Sequence, residues 1–154
     1  MAIIEGKLTV NNQKIAVVIS RFNTLVTARL LEGAFDCFIR HGGREADFTA
    51  VWVPGACEIP QVAKKLADSG KFQAIITLGA VIRGATPHFD QVVATVTRGV
   101  AEVAMHSGLP VIFGVLTTDS LEQALERAGS KGGNKGWDAS LAAIEMANLW
   151  DQLK

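Results

Sequence analysis

The segment Thr77-Leu-Gly-Ala-Val-Ile-Arg-Gly-Ala-Thr-Pro-His-Phe-Asp90 decides how the chain is read. It completes an apolar strand, Gln73 to Leu78, and opens a helix, with Thr86 as N-cap and Pro87 at the first helical position. Gly79 and Gly84 fall between the two, where they let backbone approach a ligand closely. A strand, a glycine-containing turn and a fresh helix N-terminus together make an anion site from main-chain N–H groups. His88 stands just inside that helix, so a group that titrates near neutrality lies beside the anion site.

The same alternation runs outward in both directions. Lys14 to Ser20 and Phe48 to Val53 are strand-length apolar runs, and Pro110 to Thr117 is a fourth. Between them, Leu30, Leu31, Ala34, Phe35, Phe38 and Ile39 recur at helical spacing before His41-Gly42-Gly43. Ala56 to Asp68 reads as a helix, the helix from Pro87 continues to Ser107, and Asp119-Ser120 caps one that runs to about Ala128. The loop Gly129 to Gly136 leads into a final helix, Trp137 to Leu153. Ile3 to Val10 alternates weakly and reads as a short edge strand added to a neighbouring subunit. Buried strands joined by helical crossovers pair in parallel. The expectation is a single α/β domain over residues 1–154. It is a three-layer α/β/α sandwich around a four-stranded parallel sheet in flavodoxin-like order.

In the final helix, Ala139, Ala142, Ala143, Met146, Leu149, Trp150 and Leu153 form one apolar face, while Trp137, Leu141 and Ile144 fall opposite. A surface helix of a monomer needs one apolar face. The second predicts burial against another subunit, or else scattered surface apolar groups.

Composition excludes several classes. Fifteen basic residues balance fifteen acidic ones, which gives no electrostatic case for nucleic acid or an anionic membrane. The N-terminus lacks a signal-peptide pattern and no run is long and apolar enough to span a bilayer, so a cytoplasmic location is expected. Cys37 and Cys57 are far apart and in no CxxC pair, so neither a disulfide framework nor a metal site is expected. The turn Gly79 to Thr86 nearly has P-loop spacing, but Ala85 replaces the lysine, and triphosphate hydrolysis is unsupported.

Ligands of an open parallel sheet bind beyond the carboxyl ends of its strands. Those ends carry Arg21-Phe22-Asn23, Pro54-Gly55-Ala56-Cys57-Glu58, Ala80 to His88 and the region after Phe113-Gly114. They offer a flat aromatic, a carboxylate, an anion site and an imidazole, which suits a small molecule with a planar part and a phosphate part. Other readings stay open. Phe22 could pack on the sheet edge. Glu58 and Arg127 could complement helix dipoles. Lys131 and Lys135 could be solvated, and Cys57 could fill space.

These segments, together with Phe113 to Thr117, Glu122 to Gly129 and Lys131 to Gly136, resemble the lumazine synthases over nearly the whole chain. The resemblance implies condensation of 5-amino-6-(D-ribitylamino)uracil with 3,4-dihydroxy-2-butanone 4-phosphate. The products would be 6,7-dimethyl-8-ribityllumazine, phosphate and water, with no cofactor. By resemblance, Phe22 stacks on the pyrimidine, and Ala56, Cys57 and Glu58 hold the ribityl chain. Ala80, Val81 and Ile82 read the pyrimidine edge, Ala85 and Thr86 cradle phosphate, and His88 transfers protons. Phe113 and Arg127 come from a neighbouring subunit, Arg127 gripping phosphate, with Lys135 nearby. The resemblance also implies pentameric rings that close into an icosahedral shell. Cys57, where the family often has an aromatic, and Asp138, where it often has glutamate, depart from the pattern. The alternatives are a catalytically silent shell protein and an archaeal-type riboflavin synthase, which handles no phosphate.

Overall fold

Every strand pairs in parallel, in the order β2-β1-β3-β4, in the computed structural model, which describes residues 1–154. The elements are β1 (Ile15–Ser20), α1 (Thr24–Arg40), β2 (Phe48–Val53), α2 (Ile59–Asp68), β3 (Ala74–Ile82), α3 (His88–His106), β4 (Val111–Thr118), α4 (Leu121–Arg127) and α5 (Lys135–Gln152). Short 3₁₀ turns at Glu45–Asp47 and Ala56–Glu58 lead into β2 and α2. The three-layer sandwich and its flavodoxin-like strand order are as the alternation of runs predicts.

Strand pleating sorts the core into two layers, because successive side chains point to opposite faces. Ile15, Val17 and Ile19 of β1 join Ile76 and Leu78 of β3 against α1, α4 and α5. Ala16, Val18 and Ile75 face the other way, against α2 and α3. Only β1 and β3 are buried along nearly their whole length. β2 and β4 are edges, which leaves Trp52 and Phe113 well exposed.

Within the single chain Ile3–Val10 pairs with no strand; the expected edge strand is one added to a neighbouring subunit's sheet. That segment lies across α5 instead, where Asn148 Nδ2 donates to the carbonyls of Lys7 (2.8 Å) and Thr9 (2.9 Å) and Gln152 Nε2 donates to that of Glu5 (2.7 Å). Helix α5 starts two residues early. Asn134 caps it, accepting from the N–H groups of Gly136 (2.8 Å) and Trp137 (3.2 Å) and donating to Arg29 O on α1 (3.0 Å).

The inward face of α5 is not the one the spacing suggested. Ala139, Ser140, Ala143, Ile144 and Ala147 are buried, with Trp137 and Leu141 packed beside them. Trp150 and Leu153, assigned to the main apolar face, are exposed. Small residues win the inner position because α1 and α5 approach too closely for larger ones. A methyl on Gly136 would stand 1.8 Å from Leu30 O. No helix is long and apolar enough to cross a membrane.

Candidate active site

The pairing of β3 ends unevenly on its two sides. Its ladder to β1 stops at Leu78, while its ladder to β4 continues to Ile82. Ala80, Val81 and Ile82 therefore run past the end of β1, with one backbone edge on β4 and the other on an open cleft. This corrects the expected end of the strand at Leu78. Gly79 lies inside β3 and serves packing: a Cβ there would meet Ser20 Oγ at 3.0 Å and Ile59 Cδ1 at 3.2 Å. Gly84 has open space around it and needs no positive φ.

Asn23 fastens the overhang to the β1–α1 turn. It holds a left-handed conformation, φ 63° and ψ 45°, which asparagine tolerates better than most residues. Its Nδ2 donates to Ala80 O at 2.7 Å. On the other side, Arg21 N donates to Val53 O (2.7 Å) and Phe22 N to Pro54 O (3.1 Å). The Phe22 ring is thus held by its backbone. It is 71% exposed, so packing on the sheet edge does not account for it. No sequence motif assigns Asn23 a role. Its tolerance of left-handed backbone was the signal.

The 3₁₀ turn after β2 brings Ala56, Cys57 and Glu58 to the same cleft, and Glu58 also occupies the cap position of α2. Glu58 thus stands both at the N-terminus of α2 and on the cleft, and its side chain makes no cap hydrogen bond. At the cleft's far wall, α3 begins at His88, one residue later than expected, with Pro87 as its cap. Thr86 makes no cap bond, because proline already sets the helical φ, at −69°. Its hydroxyl is left free, and Ala85, Thr86 and His88 are exposed.

Phe22, Asn23, Ala56, Cys57, Glu58, Ala80, Val81, Ile82, Thr86 and His88 line one cleft of about 530 Å³, together with Gly55, Gly84, Phe89 and Val92. Ala85 sits in the same turn without lining it. Phe113, Arg127 and Lys135 are elsewhere. They line a second cleft, of about 410 Å³, between β4 and the start of α5, with Asp138 and Ala139. There Arg127 Nη1 donates to Gln123 O (3.0 Å), and Lys135 Nζ lies 3.6 Å from Asp138. Within one chain the sequence-derived set divides into two halves that share no residue.

A family model described as 6,7-dimethyl-8-ribityllumazine synthase matches residues 12–151. The chain belongs to that family. The matched span holds both clefts of this lumazine synthase family member entire, and leaves out the residues before Asn12, including Lys7 and Thr9 that lie across α5. The family is one of transferases of riboflavin biosynthesis.

Proposed function

We propose that the chain condenses 5-amino-6-(D-ribitylamino)uracil with 3,4-dihydroxy-2-butanone 4-phosphate, giving 6,7-dimethyl-8-ribityllumazine, phosphate and water. The observation that carries this is the convergence, on one cleft, of an exposed ring at Phe22, a strand edge at Ala80–Ile82 that β1 does not cover, the Glu58 carboxylate, and Thr86 and His88. A strand edge presents donors and acceptors in alternation, which suits the amide-like rim of a pyrimidine. An exposed ring beside it offers a stacking face.

The aryl amine of the uracil attacks the ketone carbon and a water leaves as the imine forms. A proton lost from carbon lets phosphate depart with its bonding electrons. The ribityl-bearing nitrogen then closes the ring onto the remaining carbonyl with loss of a second water. Each step moves a proton near neutral pH, a task for one imidazole acting in turn as acid and base, and His88 takes that role. Departing phosphate needs N–H donors and a cation. The α3 N-terminus and Thr86 supply the donors, and Ala85 lies alongside them. The cation is Arg127 of a second copy, whose β4–α5 cleft, with Phe113 and Lys135, closes over the first copy's His88 cleft. The partners are then two small molecules and further copies of this chain, assembled as pentameric rings and a larger shell, in the cytoplasm.

Mixing the two substrates with the purified protein tests the reading. Lumazine fluorescence with equimolar phosphate release supports it. In a second assay supplied with 6,7-dimethyl-8-ribityllumazine alone, its consumption without phosphate release would mark a riboflavin synthase, and inertness in both assays would mark a shell protein without chemistry.

A further inference from the structure

Ahead of His88 the chain turns through Gly84, Ala85 and Thr86. Gly84, Ala85 and Thr86 make no hydrogen bond within the chain. Arg83, at the end of β3, makes four contacts. Its N–H donates to Thr118 O at 2.9 Å, closing the last rung towards β4. Its Nε donates to Asp119 Oδ1 at 2.9 Å, and its Nη1 lies 3.6 Å from Asp90 Oδ1. Its guanidinium covers the Phe89 ring, 4.4 Å from the centroid. Phe89 and Asp90 are the two residues after His88, so the guanidinium grips the helix turn from which His88 projects.

We propose that Arg83 is a positioning residue: it ties the first turn of α3 to Asp119 at the start of α4, and so sets Thr86 and His88 for the phosphate-bearing substrate. The inference rests on the function proposed above. Asp119 is itself anchored, its N–H donating to Gln123 Oε1 at 2.8 Å beside the Ser120 cap. Each ion pair is exposed and singly worth little. Their effect comes from acting together with the ring and the main-chain bond: Phe89 and Val92 pack on the core, while Gly84 to Thr86 have no hydrogen bond of their own to fix where the turn sits. The Asp119 hydrogen bond also keeps the guanidinium firmly protonated. A rival role is available to the same residue: a guanidinium this close to Thr86 could grip the phosphate directly.

The two roles differ in the sign of one substitution. If Arg83 acts through Asp119, then Asp119→Asn weakens the clamp and shifts KM for the phosphorylated ketone in the same direction as Arg83→Met. The expected rise is about tenfold for Arg83→Met, as for a misplaced binding group. The pyrimidine KM stays unchanged, and the double variant is no worse than Arg83→Met alone. Arg83→Lys, which keeps charge and loses the fork, restores the KM only in part. If Arg83 grips phosphate, Asp119→Asn frees the guanidinium and leaves that KM unchanged or lower, which would overturn the proposal. Additive losses in the double variant, or variants equal to wild type, would overturn it too. Hydrogen exchange supplies an arm independent of turnover. Amides of Asp90–Val92 should exchange faster in Arg83→Met and Asp119→Asn while those of α5 do not change, and unchanged exchange at Asp90–Val92 refutes the clamp. Should the wild-type protein make no lumazine, the proposed function falls, and the exchange arm still decides the role of Arg83.

Discussion

His88 projects into its cleft from the first residue of a helix that proline starts, and its ring makes no hydrogen bond within the chain. Nothing in the chain fixes one tautomer, which suits a group that must donate and accept in turn. Replacing it with alanine leaves the Phe22 ring, the Ala80–Ile82 edge and Thr86 in place. His88→Ala is therefore expected to slow single turnover by about ten- to a hundredfold, at or below the usual range for a general acid–base group. Cys37 shows the opposite environment. It is fully buried in α1, and burial pushes its thiol from an ordinary 9.0 up to about 11. The folded chain thus holds this proton more tightly than the unfolded one, so the stabilisation is intact below pH 9 and is lost as pH climbs towards 11. Denaturant midpoints should fall over that interval in the wild type, and fall less in Cys37→Ala. Residue chemistry was the most legible level of the sequence, since Phe22, Glu58, Thr86 and His88 all reach one cleft. What stayed hidden were the residues that hold others: Asn23, whose amide is spent on the Ala80 carbonyl, and Arg83, whose partner Asp119 is 36 positions away.

Elements were legible wherever a pattern has one physical cause. The buried runs of β1 and β3 and the long period of α3 were such cases. Helix α5 was not, because its inner face is chosen by closeness to α1 and not by hydrophobicity. Ser140 and Asn148 lie inside while Trp150 lies outside. Closeness also makes the α1–α5 contact the fold's least tolerant joint. A methyl at Gly136 would collide with main-chain atoms of Leu30, which no rotamer change relieves. Gly136→Ala is expected to cost about 1–3 kcal/mol, the usual penalty for overpacking, with a lower Tm in calorimetry. Gly84→Ala, with no atom near its Cβ and no positive φ, is the control expected to leave Tm unchanged. The end of β3 was misplaced for a related reason. Gly79 reads as a strand breaker, yet here it makes room for Ser20 and Ile59.

At the scale of the whole molecule, each chain carries a His88 cleft and an Arg127 cleft that share no residue and are joined through the β3–β4 ladder, where Ala80 pairs with Leu116 and Val81 with Thr117. A ring built head to tail would seat each cleft of one kind against the other kind on the next chain. Co-assembling His88→Ala and Arg127→Ala chains in equal amounts should then restore about a quarter of wild-type sites, since random placement in such a ring pairs two intact halves at that frequency. No restoration would mean that both residues act within one chain. Light scattering is expected to show particles larger than a pentamer, and a pentamer alone would remove the shell while leaving the reaction. How many copies assemble was the least legible property of all, because it depends on surfaces that one chain presents without a partner. The back-to-back arrangement also fixes how such an assembly tolerates faults. One chain unable to form its β3–β4 ladder would disable the chambers on both of its sides, so output would decline as the square of the sound fraction.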